Sequence, residues 1–238
     1  EVVVQRQLLS QHLSQLIVVI NDDNLPGRAH GLDLWAVDVR RTRDRRLGVP
    51  PGVPNYRKGP TLSKLGRVRI AVARPSPGDK RRGWITLGSL RLPCAFGRSG
   101  PGYRKREGDG VTPIGVWRIE LAFYRADRIT RPRLAAPTRP LHHQDGWCDA
   151  TGDRNYNRLV RLPYPASSEE LLRDDRLYDI VMVLSHNRRP RIMGAGSAIF
   201  LHVARPDFGP TAGCVALRLA DLQKLLALNP RAIRILPG

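Results

Sequence analysis

The chain has 238 residues, enough to bury a core, and its 41% hydrophobic and 26% charged content is that of an ordinary globular protein. Its 40 Lys and Arg against 21 Asp and Glu leave a formal charge of +19, which attracts anionic polymers. The basic residues are nevertheless scattered as singlets and pairs, and zinc-finger spacing, basic-region heptads and RNP-like strands are missing, so no specific nucleic acid is expected.

No apolar run approaches the roughly 18 residues of a membrane-spanning helix, so no transmembrane segment is expected. The first residues show no basic stretch leading into a long apolar core, so no signal peptide is visible and the compartment is not legible there. Cys94, Cys148 and Cys214 cannot all pair within one chain, so at least one is a free thiol. Whether Cys94 and Cys148 pair is open.

Residues 1–66 read as an N-terminal extension, a linker or disordered arm without a fold of its own. Within it, QLLSQHLSQLIVVI (7–20) has the pattern of a short amphipathic helix, and Val37 to Pro60 is crowded with Pro, Gly and Arg. Residues 67–238 read as the folded domain. RVRIAVAR alternates, which predicts a half-buried strand with Val68, Ile70 and Val72 on its apolar side. WITLGSL and RLPCAF follow as strands separated by Gly-rich turns. Val116 to Phe123 alternates Trp117, Ile119 and Leu121 against Arg118 and Glu120. Tyr178 to His186 and Ala198 to Val203 are continuous apolar runs, as strands buried on both faces require.

Helices are few. Ser167 stands three residues before Glu170, a capping-box spacing that predicts a short helix start. Leu219, Leu222, Leu225 and Leu226 form one helical face that Asn229-Pro230 terminates, and RAIRIL supplies a last strand. The fold class is therefore mainly β within α+β, with one or two short helices.

The chemistry-bearing stretch is IFLHVARPDFGPTAGCVAL, Ile199 to Leu217. His202 ends a buried run, and Cys214 lies across a loop long enough to fold back on it. A thiol with an ordinary pKa of about 8.5 needs a base or a positive field to act as a nucleophile at neutral pH. Gly213 permits a sharp turn, with the N–H groups of Gly213 and Cys214 as oxyanion donors. The pattern fits acyl transfer by a Cys–His pair. It equally fits a small core Cys and an internally satisfied strand His.

IFLHV followed by PTAGCVAL resembles the signature of the L,D-transpeptidase catalytic domain (YkuD-like) family, in its branch with GSAIFLH and PTxGCVAL. KREGDGVTPIGVW, Lys105 to Trp117, is similar to that family's glycine-rich segment. The resemblance runs from about Arg67 to the C-terminus and implies a β-sandwich or barrel-like sheet. It implies Cys214 as nucleophile, His202 as general base and then acid, and the backbone carbonyl of Val203 as the group orienting the imidazole. Asp207 reads as a solvated loop carboxylate.

Two departures stand out: Val203 where many members have Gly, and Ala216 where many have Arg two residues after the nucleophile. Arg218 or Arg205 are the candidate substitutes for that cation. The polar block His142 to Val160 is similar to the same branch, which implies Trp147, Asp149, Tyr156 and Asn157 as substrate-groove residues, with His186, Thr211 and Arg218 nearby. Turn stabilisation by Asp and Asn is the competing reading of that block. His142, His143, Cys148 and His186 match no standard zinc spacing, so neither metal nor cofactor is expected.

The activity implied is that of a peptidoglycan L,D-transpeptidase: a thioester with a tetrapeptide stem, passed to an amine. Two alternatives stay open: an L,D-carboxypeptidase or amidase that gives the same thioester to water, and a basic module binding wall polymer or nucleic acid with an inert Cys214. The resemblance further implies peptidoglycan stem peptides as partners, carbapenem-type β-lactams as inhibitors, and a cell-envelope or periplasmic location.

Overall fold

The computed structural model describes the backbone of Gln15–Ile20 and Asp33–Asp38, and then residues 69–238. The chain divides into two units, 1–59 and 60–238. In the first, β1 (Gln15–Ile20) and β2 (Asp33–Asp38) pair antiparallel. The helix expected over 7–20 is thus replaced, in its described part, by a strand, in keeping with the β-branched content of LIVVI. The rest of the 1–66 extension lies outside the described residues.

The described residues of the second unit form fourteen strands and one helix. In chain order they are β3 (Ile70–Ser76), β4 (Asp79–Leu87), β5 (Leu90–Ala95), β6 (Gly100–Gly102), β7 (Val111–Pro113), β8 (Gly115–Tyr124), β9 (Thr138–Pro140), β10 (Asp145–Cys148), β11 (Arg158–Arg161), β12 (Ser168–Glu170), β13 (Ile180–Leu184), β14 (Phe200–Val203), β15 (Val215–Leu217), α1 (Leu219–Ala227) and β16 (Ala232–Ile235). The main sheet runs β13-β14-β15-β5-β4-β3-β16-β8-β9, and β8 also pairs with β13. Eight strands therefore close on themselves as a barrel, which leaves β9 outside the ring and removes exposed edges.

Alternation along the strands separates two apolar clusters. Ile180, Met182, Leu184, Leu201, Val203, Val215 and Leu217 face one way, into a core that Leu222, Leu225 and Leu226 of α1 join. Val181, Val183 and Phe200 face the other way, where Trp147 and Leu171 of the β11-β10-β12 region cover them. Within the runs read as doubly buried strands, β13 and β14 are buried throughout for this reason, while Ser185, His186 and Ala198 are only partly buried.

Two local expectations change. In β3 the fully buried side chains are Ala71 and Ala73, while Ile70 and Val72 are only partly buried. β3 lies between β4 and β16, and small residues fill its core-facing positions. Ser168–Glu170 is a strand rather than a helix start, because its backbone pairs with β10, Cys148 opposite Ser168. Tertiary pairing here overrides a local capping pattern. Cys94, Cys148 and Cys214 are all buried free thiols, so Cys94 and Cys148 are not paired.

Candidate active site

β14 and β15 run parallel, with Leu201 opposite Val215 and His202 opposite Ala216. Side chains alternate across a strand, so Phe200 and His202 share a face with Cys214 and Ala216. That face is the barrel's outer one, and Cys214 packs in the cluster with Phe200, Trp147 and Tyr178. The imidazole on β14 and the thiol on the residue just before β15 thus open on one cavity of about 290 Å³, which they line together with Lys105, Asp149, Glu169, Arg173, Tyr178 and Thr211.

The thiol is held on two sides. Cys214 Sγ donates to the Ala198 carbonyl at 3.1 Å and accepts from the Phe200 N–H at 3.3 Å. Burial pushes its pKa up to about 12, with the field of Glu169 adding to the rise and the Phe200 N–H and Lys105 opposing it. His202 is 6% exposed. Its Nδ1 donates to the Val203 carbonyl at 2.8 Å; a carbonyl can only accept, so the lone pair of the neutral ring is on Nε2. Burial lowers the His202 pKa to about 4 against the pull of the Val203 hydrogen bond. The resting pair is therefore neutral thiol and neutral imidazole, with Tyr178 packed edge-on to the imidazole at 5.3 Å between centroids.

The nucleophile turn is locked from two distant segments. Thr211 Oγ1 donates to the Cys214 carbonyl at 2.7 Å, and the buried Thr112, from the EGDGVTP stretch, lies 3.5 Å from the same oxygen. Gly213 has φ +145°, and a Cβ there would lie 2.8 Å from the Val111 carbonyl, so only glycine fits without strain. Its N–H donates to Thr211 Oγ1 at 3.1 Å; the proposed oxyanion donor is engaged in the turn itself.

The polar block divides. Asp149 lines the cavity, with one carboxylate oxygen buried and unpartnered. Trp147, Tyr156 and Asn157 do not line it. Trp147 is fully buried, edge-on to Phe200 and under the Arg188 guanidinium. Tyr156 is buried and donates to Glu107 at 2.5 Å. Asn157 is a buried hub: Oδ1 accepts from Trp147 Nε1 at 3.0 Å and the Ala198 N–H at 3.2 Å, and Nδ2 donates to the Asn187 carbonyl at 2.9 Å and, at 3.3 Å, to that of His186. It therefore fixes Ala198, which has φ +49°, and through it the carbonyl that accepts the thiol's hydrogen bond.

His186 stands off the cavity, edge-on to Trp117, with Nε2 bonded to the Ala195 carbonyl and burial lowering its pKa. Arg218 stacks over Phe208 at the N-terminus of α1, whereas Arg205 lines the cavity. Among the described residues no three His, Cys, Asp or Glu side chains gather as a metal site, and no helix is long and apolar enough to cross a membrane.

Glu169 and Lys105 were not singled out from the sequence. Glu169 accepts from Tyr178 Oη at 2.5 Å, and burial raises its pKa against the effects of Tyr178 and Arg173. Lys105 is the opposite charge on the same wall.

A closed β-barrel thus carries a buried imidazole and a buried thiol that open on one cavity. The sequence model of the L,D-transpeptidase catalytic domain (YkuD) matches residues 77–231, a span that holds every residue of this site. The chain belongs to that family. Comparison with individually curated proteins gave no match.

Proposed function

We propose that the protein is a peptidoglycan L,D-transpeptidase with Cys214 as nucleophile and His202 as its base. The observation that carries the reading is the His202 Nδ1 bond to Val203, which leaves Nε2 as the acceptor nitrogen of an imidazole that shares its strand face with Cys214. Since both groups are neutral at rest, the thiol proton passes to Nε2 as Sγ attacks the acyl carbon of the tetrapeptide stem. The imidazolium then protonates the leaving D-amino acid amine, and the thioester remains. Attack by an acceptor amine, with His202 again taking the proton, releases the cross-linked product and restores the thiol.

Wall stem peptides as substrate, acylation by carbapenem-type β-lactams and a place in the cell envelope belong to this reading. The test is mass spectrometry of products from disaccharide-tetrapeptide incubated with the protein and with Cys214→Ala. Cross-linked dimers that vanish in the variant support transpeptidation, tripeptide alone means that water is the acceptor, and no product with either protein refutes the substrate assignment.

A further inference from the structure

Lys105 is a cation built into the nucleophile's wall. Its side chain is only 4% exposed, and two glycines make room for it. A Cβ on Gly196 would lie 2.6 Å from Lys105 Cγ, and one on Gly213 would lie 3.4 Å from Lys105 Nζ. The ammonium therefore sits beside the backbone of the residue before Cys214, at the edge of the cavity that both line.

Nζ donates to Asp109 Oδ1 at 2.6 Å and to the Arg106 carbonyl at 2.9 Å. An ammonium has three hydrogens, so one donor is left. Asp109 also accepts from the Arg106 and Val111 N–H groups, so the strap carrying Lys105 is tied down from several sides. The Gly213 N–H, meanwhile, is spent on Thr211 Oγ1. The turn thus withholds one backbone donor from the place where negative charge develops during acyl transfer, and sets a fixed cation beside it.

We propose that Lys105 is a catalytic residue whose Nζ donates its remaining hydrogen to the oxyanion formed on the acyl carbon bonded to Cys214. The proposal rests on the acyl-transfer reading of the site but not on wall peptide as the substrate. As Sγ bonds to the acyl carbon, the thiol proton goes to His202 Nε2 and the carbonyl π pair moves onto oxygen. Lys105 holds that oxyanion until the pair returns and the leaving group departs.

The experiment compares two reactions of Cys214 in the full chain. Acylation by p-nitrophenyl acetate passes through an oxyanion, whereas alkylation by iodoacetamide displaces iodide and forms none. Lys105→Met is expected to slow acylation by about 100-fold or more, as loss of one oxyanion donor does, and to slow alkylation far less. Lys105→Arg is expected to recover part of the acylation rate.

Asp109→Asn loosens the strap but keeps the cation, so it is expected to retain most of the acylation that Lys105→Met loses. Equal losses of acylation and alkylation in Lys105→Met, or equal losses of acylation in the two strap variants, would overturn the proposal. Acylation that depends on Lys105 in a protein that leaves tetrapeptide untouched would uphold it while sinking the substrate assignment above.

Discussion

Acidification tests the burial of the His202 imidazole directly. The ring ionises at about 4 in the folded protein against 6.5 for an ordinary histidine. Above pH 6.5 both folded and unfolded chains hold it neutral, and it contributes no pH dependence. Between 6.5 and about 4 only the unfolded chain takes up the proton, so stability falls as pH falls, by about 1.4 kcal/mol per pH unit. Over the whole window the loss is about 3 kcal/mol, and below pH 4 it stops growing.

Urea unfolding of the wild type and of His202→Gln from about pH 7 to about pH 4 isolates this contribution, because every other titrating group, His186 included, is common to both. The wild type is expected to lose about 3 kcal/mol more than the variant over that range. Parallel stability curves would show that the imidazole is not held neutral by burial, and the proton-transfer sequence proposed for it would fail with it.

Three further outcomes follow from the site. Gly213→Ala places a Cβ 2.8 Å from the Val111 carbonyl at φ +145° and is expected to destabilise by about 1–3 kcal/mol and to abolish p-nitrophenyl acetate turnover, read by thermal unfolding and nitrophenolate release. Asn157→Ala removes the partner of four polar groups, and should cost about 2–3 kcal/mol and speed iodoacetamide alkylation, because a displaced Ala198 carbonyl no longer holds the thiol hydrogen. Trp147→Ala should cost about 3–5 kcal/mol as a core cavity, whereas Trp147→Phe should keep the Michaelis constant for any accepted acyl donor, because the indole does not line the cavity.

What could be read from the sequence follows a physical line. The strands were legible because burial on two faces leaves unbroken apolar runs, as in Ile180–Leu184 and Phe200–Val203. The pairing of His202 with Cys214 was legible only in outline. Spacing says that a loop can bring them together, while the parallel register that puts them on one face depends on β14 and β15 being neighbours.

The polar block misled at Trp147, Tyr156 and Asn157, since residue type does not distinguish a wet groove from a buried network whose bonds are all made. Asn157 makes its bonds to a side chain and to backbone groups between 29 and 41 residues distant, which no local pattern records. Lys105 opens the glycine-rich segment, whose pattern assigns it no role, and Glu169 lies inside a capping-box pattern.

The neutral resting pair has a consequence for how the site is used. Burial pushes the Cys214 pKa up to about 12, which favours the protonated sulfur, whereas oxidants and alkylators react with the thiolate. In the proposed reaction, activation comes with the acyl donor, which enters the cavity, displaces solvent and places its carbonyl within reach of Sγ. The charges lining the cavity are suited to that task. Glu169 disfavours negative charge on the Cys214 sulfur and Lys105 favours it, so the two charges act on the thiol in opposite senses. Glu169→Gln should accordingly raise the iodoacetamide reactivity of Cys214 while Lys105→Met lowers it, and variants shifting reactivity in the same direction would refute this division of labour.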